Sequence, residues 1–338
     1  MTVSTKFQQK GLGAALSDFK AEMPDGTAIT FASGEAAMSL LGGTNYSAKD
    51  LHLALPATFL ASQGYLQSGT GTVTLKTDQL QVTDSGISTV MAYTLALDTM
   101  VLPEAVAAAN KLSGTGNIGL ASGQLSAEGT LAAEKILFAG ASLENATTNL
   151  RSEGAVLVLD QIRGQLFGGA VAGTMKIEPL LEHYPLTLEA RLEGGTLERF
   201  SQEVQPPNVN LSGNVSGDLL VGLRGEEFTA LDMNLQAGNG LTINRGLVAE
   251  LLMSQQMSTA TGSKTVGKVL DKVVGGDEQR PFDAADLKLG LAEGRITGDA
   301  TLKSKALNLT VDIKADPAAF WEAIKSRGQV SFGGITTQ

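Results

Sequence analysis

Apolar and polar residues alternate with a period of two along most of this chain. The clearest run is Val209, Leu211, Val215, Leu219, Val221 and Leu223, with Gly213 and Gly217 on the same parity. The other parity carries Asn208, Asn210, Ser212, Asn214, Ser216 and Asp218. Successive side chains of a strand point to opposite faces, so this segment predicts a strand with one dry and one wet face. The alternation recurs at Leu186, Leu188, Ala190 and Leu192, at Leu231, Met233 and Leu235, at Leu287, Leu289 and Leu291, and at Leu307, Leu309, Val311 and Ile313. Further strands are expected at 73–75, 80–82, 93–97, 118–120 and 125–131. Gly, Asn, Asp and Ser turns separate these runs, which favours consecutive antiparallel pairing.

Helical patterns are few and brief. Residues 56–62, 103–111 and 197–204 each suit a short helix, and Asp316-Pro317 forms an N-cap with a first-turn proline ahead of residues 318–325. The longest candidate, 247–274, is interrupted around 258–263; its front half, with Leu247, Leu251, Leu252 and Met253, is apolar enough to cover a sheet face or end.

These elements predict a mainly β fold: a long curled antiparallel sheet forming an open hydrophobic groove, with a few short helices capping or covering it. Roughly twenty strands spaced about 4.8 Å apart would extend a single sheet on the order of 90 to 100 Å, and open sheets of that size curl, split or pack on something. The helical residues are too few to cover the whole dry face. Its candidate lining is Leu157, Leu159, Leu186, Leu188, Leu192, Val209, Leu211, Val215, Leu219, Val221, Leu223, Leu287, Leu289, Leu307, Leu309, Val311 and Ile313. Gly168 and Gly169 have two readings: a kink that curves the sheet, because glycine tolerates the dihedral angles of a bulge, or a plain hairpin corner. A loose repeat of strands, Gly-rich turn and short helix around 70–112, 133–204 and 209–275 suggests an N-terminal β-rich groove segment at 1–132. A C-terminal groove region with the 247–274 helical linker would follow at 133–338.

Composition narrows the chemistry. The formal charge of -10 and the absence of any basic run argue against nucleic acid, which needs clustered Lys and Arg. Without cysteine there is neither a disulfide nor a thiolate metal site. The two histidines, His52 and His183, lie in no metal-binding spacing, and His183 before Tyr184-Pro185 suits a surface turn. Glu134, Glu144, Glu153 and Glu178 fall near strand ends, the ordinary place for carboxylates on a wet face. No glycine cluster forms a nucleotide-binding fingerprint. Aromatics at 5% also suit a shallow aliphatic wall better than a pocket for one rigid ligand. No cofactor, metal or catalytic residue is expected.

Three passages carry a family likeness: residues 154–169, with Leu166-Phe167-Gly168-Gly169 at their end; Leu192 to Phe200 followed by Leu211-Ser212-Gly213-Asn214-Val215-Ser216-Gly217; and Gly240-Leu241-Thr242-Ile243, a helical linker, then Arg280-Pro281-Phe282 and Leu287, Leu289 and Leu291. On these patterns residues 133–335 resemble the C-terminal region of the AsmA-like envelope proteins, the family with TamB-like, YhdP-like and YdbH-like members; residues 1–132 share only its style. The resemblance implies a β-taco-like groove in the bacterial envelope, periplasmic and held at the inner membrane by an N-terminal helix that this sequence does not include. It also implies a part in moving phospholipid toward the outer membrane or in assembling that membrane. The expected partners are phospholipid or another acyl-chain lipid, and membrane-anchored or other envelope proteins.

The leading expectation is therefore a non-enzymatic protein whose apolar β-groove binds and conducts acyl chains between membranes. The alternative is a structural or assembly β-protein of the envelope with a closed core that binds other proteins. A glycan-acting enzyme would need a polar cleft holding two carboxylates.

Overall fold

The computed structural model describes residues 1–10, 13–38, 44–83, 86–102, 107–121, 124–138, 141–179, 181–204, 211–244, 279–305 and 308–327. Among these, eighteen strands form one long antiparallel sheet that does not close into a barrel. They are β1 (Thr2–Lys10), β2 (Gly13–Glu22), β3 (Ala28–Met38), β4 (Thr44–Pro56), β5 (Ser68–Thr83), β6 (Gly86–Val101), β7 (Ala107–Ala121), β8 (Gln124–Phe138) and β9 (Ala141–Glu153). The series continues with β10 (Val156–Leu166), β11 (Gly169–Ile177), β12 (Leu186–Thr196), β13 (Leu211–Arg224), β14 (Glu227–Asn244), β15 (Gln279–Pro281), β16 (Ala284–Ala292), β17 (Arg295–Lys303) and β18 (Asn308–Ala315). Three helices accompany them: α1 (Ala57–Ser62), α2 (Leu197–Val204) and α3 (Pro317–Arg327).

Neighbours in sequence pair as antiparallel neighbours in space, and β14 pairs with β16 as well as with the short β15. At two corners the reason is local. Phe167 and Gly168 have φ of 52° and 78°, and Glu293 and Gly294 have 51° and 72°. Each pair makes a two-residue hairpin loop with both central residues left-handed, the turn whose twist matches that of the flanking strands. The Gly168 corner is thus a hairpin turn. Gly169 opens β11, where an added Cβ would stand 2.6 Å from the Glu193 carbonyl oxygen.

Several strands are longer than the sequence pattern suggests. Segments 73–75 and 80–82 belong to one strand, β5, whose register with β6 shifts between Lys76 and Leu80. Of the helix expected at 103–111, Ala107 to Lys111 are strand and begin β7, and residues 103–106 lie outside the described residues. That Ala-rich segment has helical propensity, but backbone pairing of Ala108 with Val101 and of Ala109 with Met100 overrides it. Helices α1, α2 and α3 form where their patterns place them. The 247–274 segment lies outside the described residues, as do Val209 and Leu307.

Two compact units can be distinguished. The first comprises 1–136, 145–162 and 176–182, the second 137–144, 163–175 and 183–338. In the first, Val3, Ala21, Ile29, Leu53, Leu75, Tyr93 and Gly116 are successive cross-strand partners, so one apolar row crosses β1 to β7. Phe19 stacks on Phe31 with ring centroids 4.5 Å apart. Helix α1 closes one end of this face, with Ala57 fully buried in a cluster with Leu66 and Leu97.

Candidate functional site

The second unit holds a continuous apolar surface. Strand pairing sets it out in rows. Ala190, Leu219, Met233, Leu289, Gly298 and Ile313 are successive partners across β12, β13, β14, β16, β17 and β18. Leu192, Gly217, Leu235, Leu287, Ala300 and Val311 form the next row. Val215, Ala237, Ala285, Leu302 and Leu309 form another, and Leu188, Val221 and Leu231 lie on the opposite side of the first. Directly opposed residues share a face, so these rows form one aliphatic surface without a charged side chain.

The reverse face is wet. Its matching row reads Arg191, Asp218, Asn234, Lys288, Asp299 and Asp312. Exposed ion pairs such as Arg191 with Glu193 at 3.0 Å and Lys303 with Asp286 at 3.0 Å decorate it. Such pairs add little stability and mainly keep this side hydrated.

The dry rows are unevenly covered. Leu231 and Leu289 are buried and Ile296 fully so, while Leu219, Val221, Met233, Leu287, Leu291 and Ile313 around them are only partly buried. Helices sit at the two ends. At one, the Glu198 carboxylate of α2 accepts the Gly213 N–H at 3.2 Å, and Phe200 meets Phe167 edge-on at 5.3 Å. At the other, Phe320 and Trp321 of α3 pack on Phe228, with ring centroids 6.0 and 5.8 Å apart.

Most of the residues proposed from sequence meet on this surface. Leu186, Leu188, Leu192, Leu219, Val221, Leu223, Leu287, Leu289 and Ile313 share it, and the backbone register of Leu309 and Val311 continues its rows. Val215 is buried, and Leu211 pairs with Ile243 beyond a register shift at Gly213. Leu157 and Leu159 are not brought here. They lie in the first unit, partly buried, and the fully buried residue of that strand is Val158 between them. With Val156 to Leu159 all apolar, alternation cannot choose a face in β10.

Three contributors escape a reading by parity. Phe228 has the parity of the wet residues of β14, but Gly222 pairs with Ala230 and Leu223 with Phe228, leaving Thr229 as an extra residue. This bulge inverts the phase and turns Phe228 to the dry side. Ile296 alternates with Gly298, Ala300 and Leu302, and the two small residues between the large ones leave too weak a pattern to stand out. Trp321 on α3 reaches the sheet only through the tertiary fold.

Three of the four carboxylates singled out from sequence lie beside cations. Glu134 pairs with Lys111 at 2.7 Å, Glu144 lies 3.9 Å from Arg199, and Glu153 bonds Arg151, whose charge and hydrogen bond hold its carboxyl below the usual carboxylate range. His183 is exposed in a turn, with its carbonyl accepting the Gly225 N–H at 2.8 Å; His52 is exposed on β4. Among the described residues no group of three or more His, Asp or Glu side chains could hold a metal ion.

A single open antiparallel sheet, amphipathic from strand to strand and capped by short helices, defines the class of this protein. It belongs to the AsmA family, whose sequence model matches residues 75–301. The match begins at residue 75, upstream of residue 133, so it takes in the later part of β5 and strands β6 to β8; there Gly, Thr and Ala occupy many positions held by leucine further on. Comparisons with curated proteins and with solved structures find no match. Family membership points to an envelope-associated protein. No helix among the described residues is long and apolar enough to cross a membrane.

Proposed function

We propose that this is a non-enzymatic envelope protein whose apolar sheet face binds phospholipid acyl chains and conducts them between membranes in support of outer-membrane biogenesis. One observation carries the reading: in the charge-free aliphatic rows crossing β12 to β18, Leu219, Val221, Met233, Leu287, Leu291 and Ile313 are only partly buried around the enclosed Leu231, Leu289 and Ile296. A protein with a sealed core, the competing reading, would bury those flanking residues as deeply as Ile296. Burying a hydrocarbon chain contributes about 0.8 kcal/mol per methylene, so capture is favourable. The wall repeats leucine, valine, methionine and isoleucine from strand to strand, so successive positions differ little and the chain slides with low friction. Such a wall has no direction of its own, and net transport needs a partner or a gradient.

The test is lipid content. Chain purified from an expressing cell without detergent is expected to carry phospholipid detectable by mass spectrometry. Leu219→Asp, which places a carboxylate in the central row, should strip that lipid at least about tenfold, since a buried unpaired charge costs several kcal/mol; Leu219→Met should retain it. Unchanged lipid in a Leu219→Asp protein with an intact β circular-dichroism spectrum would exclude this surface as the binding site.

A further inference from the structure

We propose that α3 is a hinged lid on the second unit's apolar face, docked when the face is empty and lifted when acyl chains occupy the rows beneath it. The inference rests on the lipid reading above and adds a moving part to it.

Helix α3 follows β18 after the single residue Asp316. That residue makes the helix locally self-sufficient. Its carboxylate accepts the N–H groups of Ala318 at 2.9 Å and Ala319 at 3.1 Å, and its carbonyl accepts that of Phe320 at 2.9 Å. A helix whose first turn is capped by its own leading residue can swing without losing its cap. Phe320 packs on the cluster of Leu231, Leu289 and Ile296 and Trp321 on Phe228, while Ala318 and Ala319 are exposed.

Two features mark the docked position as exchangeable. The surface beneath Phe320 is the one an acyl chain would use, and both occupants gain by the same non-directional burial of apolar area, so one can replace the other. In addition, the indole Nε1–H of Trp321 is buried without a hydrogen-bond partner while the residue as a whole is 9% exposed. An unmet buried donor weakens the docked state, and lifting the helix restores its bond to water.

Trp321 is the chain's single tryptophan, so it reports the lid directly. The experiment follows iodide quenching of its fluorescence in the full, lipid-stripped chain before and after loading from dioleoyl phosphatidylglycerol vesicles, with bound lipid counted by mass spectrometry after the vesicles are removed. The expected result is a severalfold rise in iodide quenching that grows with bound lipid. Lipid bound with quenching unchanged or reduced would overturn the lid and leave the lipid reading intact; no bound lipid would overturn both. Phe320→Ala supplies the second arm. It should raise quenching before loading and increase lipid uptake, whereas a purely structural α3 predicts unchanged or reduced uptake and would refute the lid.

Discussion

Tyr93 shows how one side chain can both serve and burden this sheet. It is buried across a pair of glycines in neighbouring strands: an added Cβ at Gly116 would stand 2.8 Å from its Cε1 and 2.6 Å from the Gly129 Cα. The ring fills the space the glycines leave, yet its hydroxyl is buried without a hydrogen-bond partner. Removing an unmet buried hydroxyl while keeping the ring spares its desolvation cost, so Tyr93→Phe is expected to stabilise the chain by about 1 kcal/mol in urea unfolding. Burial also raises the phenol above its ordinary value of 10.0. The sign follows: stability from this group is intact below pH 10.0, where both states are protonated, and falls as pH rises from there through the folded value, because only the unfolded phenol ionises. Alkaline unfolding should therefore be shallower in Tyr93→Phe than in the parent, and an unchanged profile would place the phenol in contact with water. Nothing in the local sequence announces this residue, because Tyr93 reads simply as one more position on the apolar parity.

Among the elements, the turns were the most legible and the bulges the least. Gly294 lies in a two-residue corner with φ of 72° and open space around its missing side chain, so its role is purely conformational. Gly294→Ala should cost about 1 kcal/mol, and Gly294→Asn should recover much of that because asparagine tolerates left-handed backbone. Equal losses for the two in thermal unfolding would mean that something other than backbone strain governs the corner. Helices α1, α2 and α3 were readable from Pro56, the Leu197 to Val204 stripe and Asp316-Pro317. Ala107 to Lys111 was not, since alanine favours a helix until a neighbouring strand supplies the pairing. The Thr229 bulge was equally hidden, and with it the placing of Phe228, because a one-residue phase change leaves no mark on composition.

For the molecule as a whole, the charge-free rows of the second unit and the helices at their ends raise a single question of access. If the central leucines are open to small apolar molecules, the lipid-stripped native chain should bind an environment-sensitive apolar dye, and phosphatidylglycerol should displace it. A folded chain that leaves the dye dark would show the face sealed and favour the closed-core alternative. Most of the candidate surface was visible in the alternation of Leu186 to Leu192, Leu219 to Leu223 and Leu287 to Leu291, because each strand alone carries enough leucine and valine to declare its dry side. Leu157 and Leu159 show the limit of that approach. In a strand apolar on both parities, the buried side is chosen by what packs on it, and there it is Val158 that is fully enclosed.

By itself the amino-acid sequence determined the class of structure: alternation with period two makes strands, Gly- and Asn-rich breaks make antiparallel corners, and the separation of leucine from aspartate and lysine gives the sheet two unlike faces. These are properties of neighbours along the chain, so a linear reading can reach them. Tertiary structure alone decided how the strands bring their leucines into common rows, where a bulge reverses the phase, and which rows α3 covers with Phe320 and Trp321. Those outcomes depend on register and on contacts between residues far apart in sequence, where the pairing of one strand with the next sets the face each side chain finally occupies.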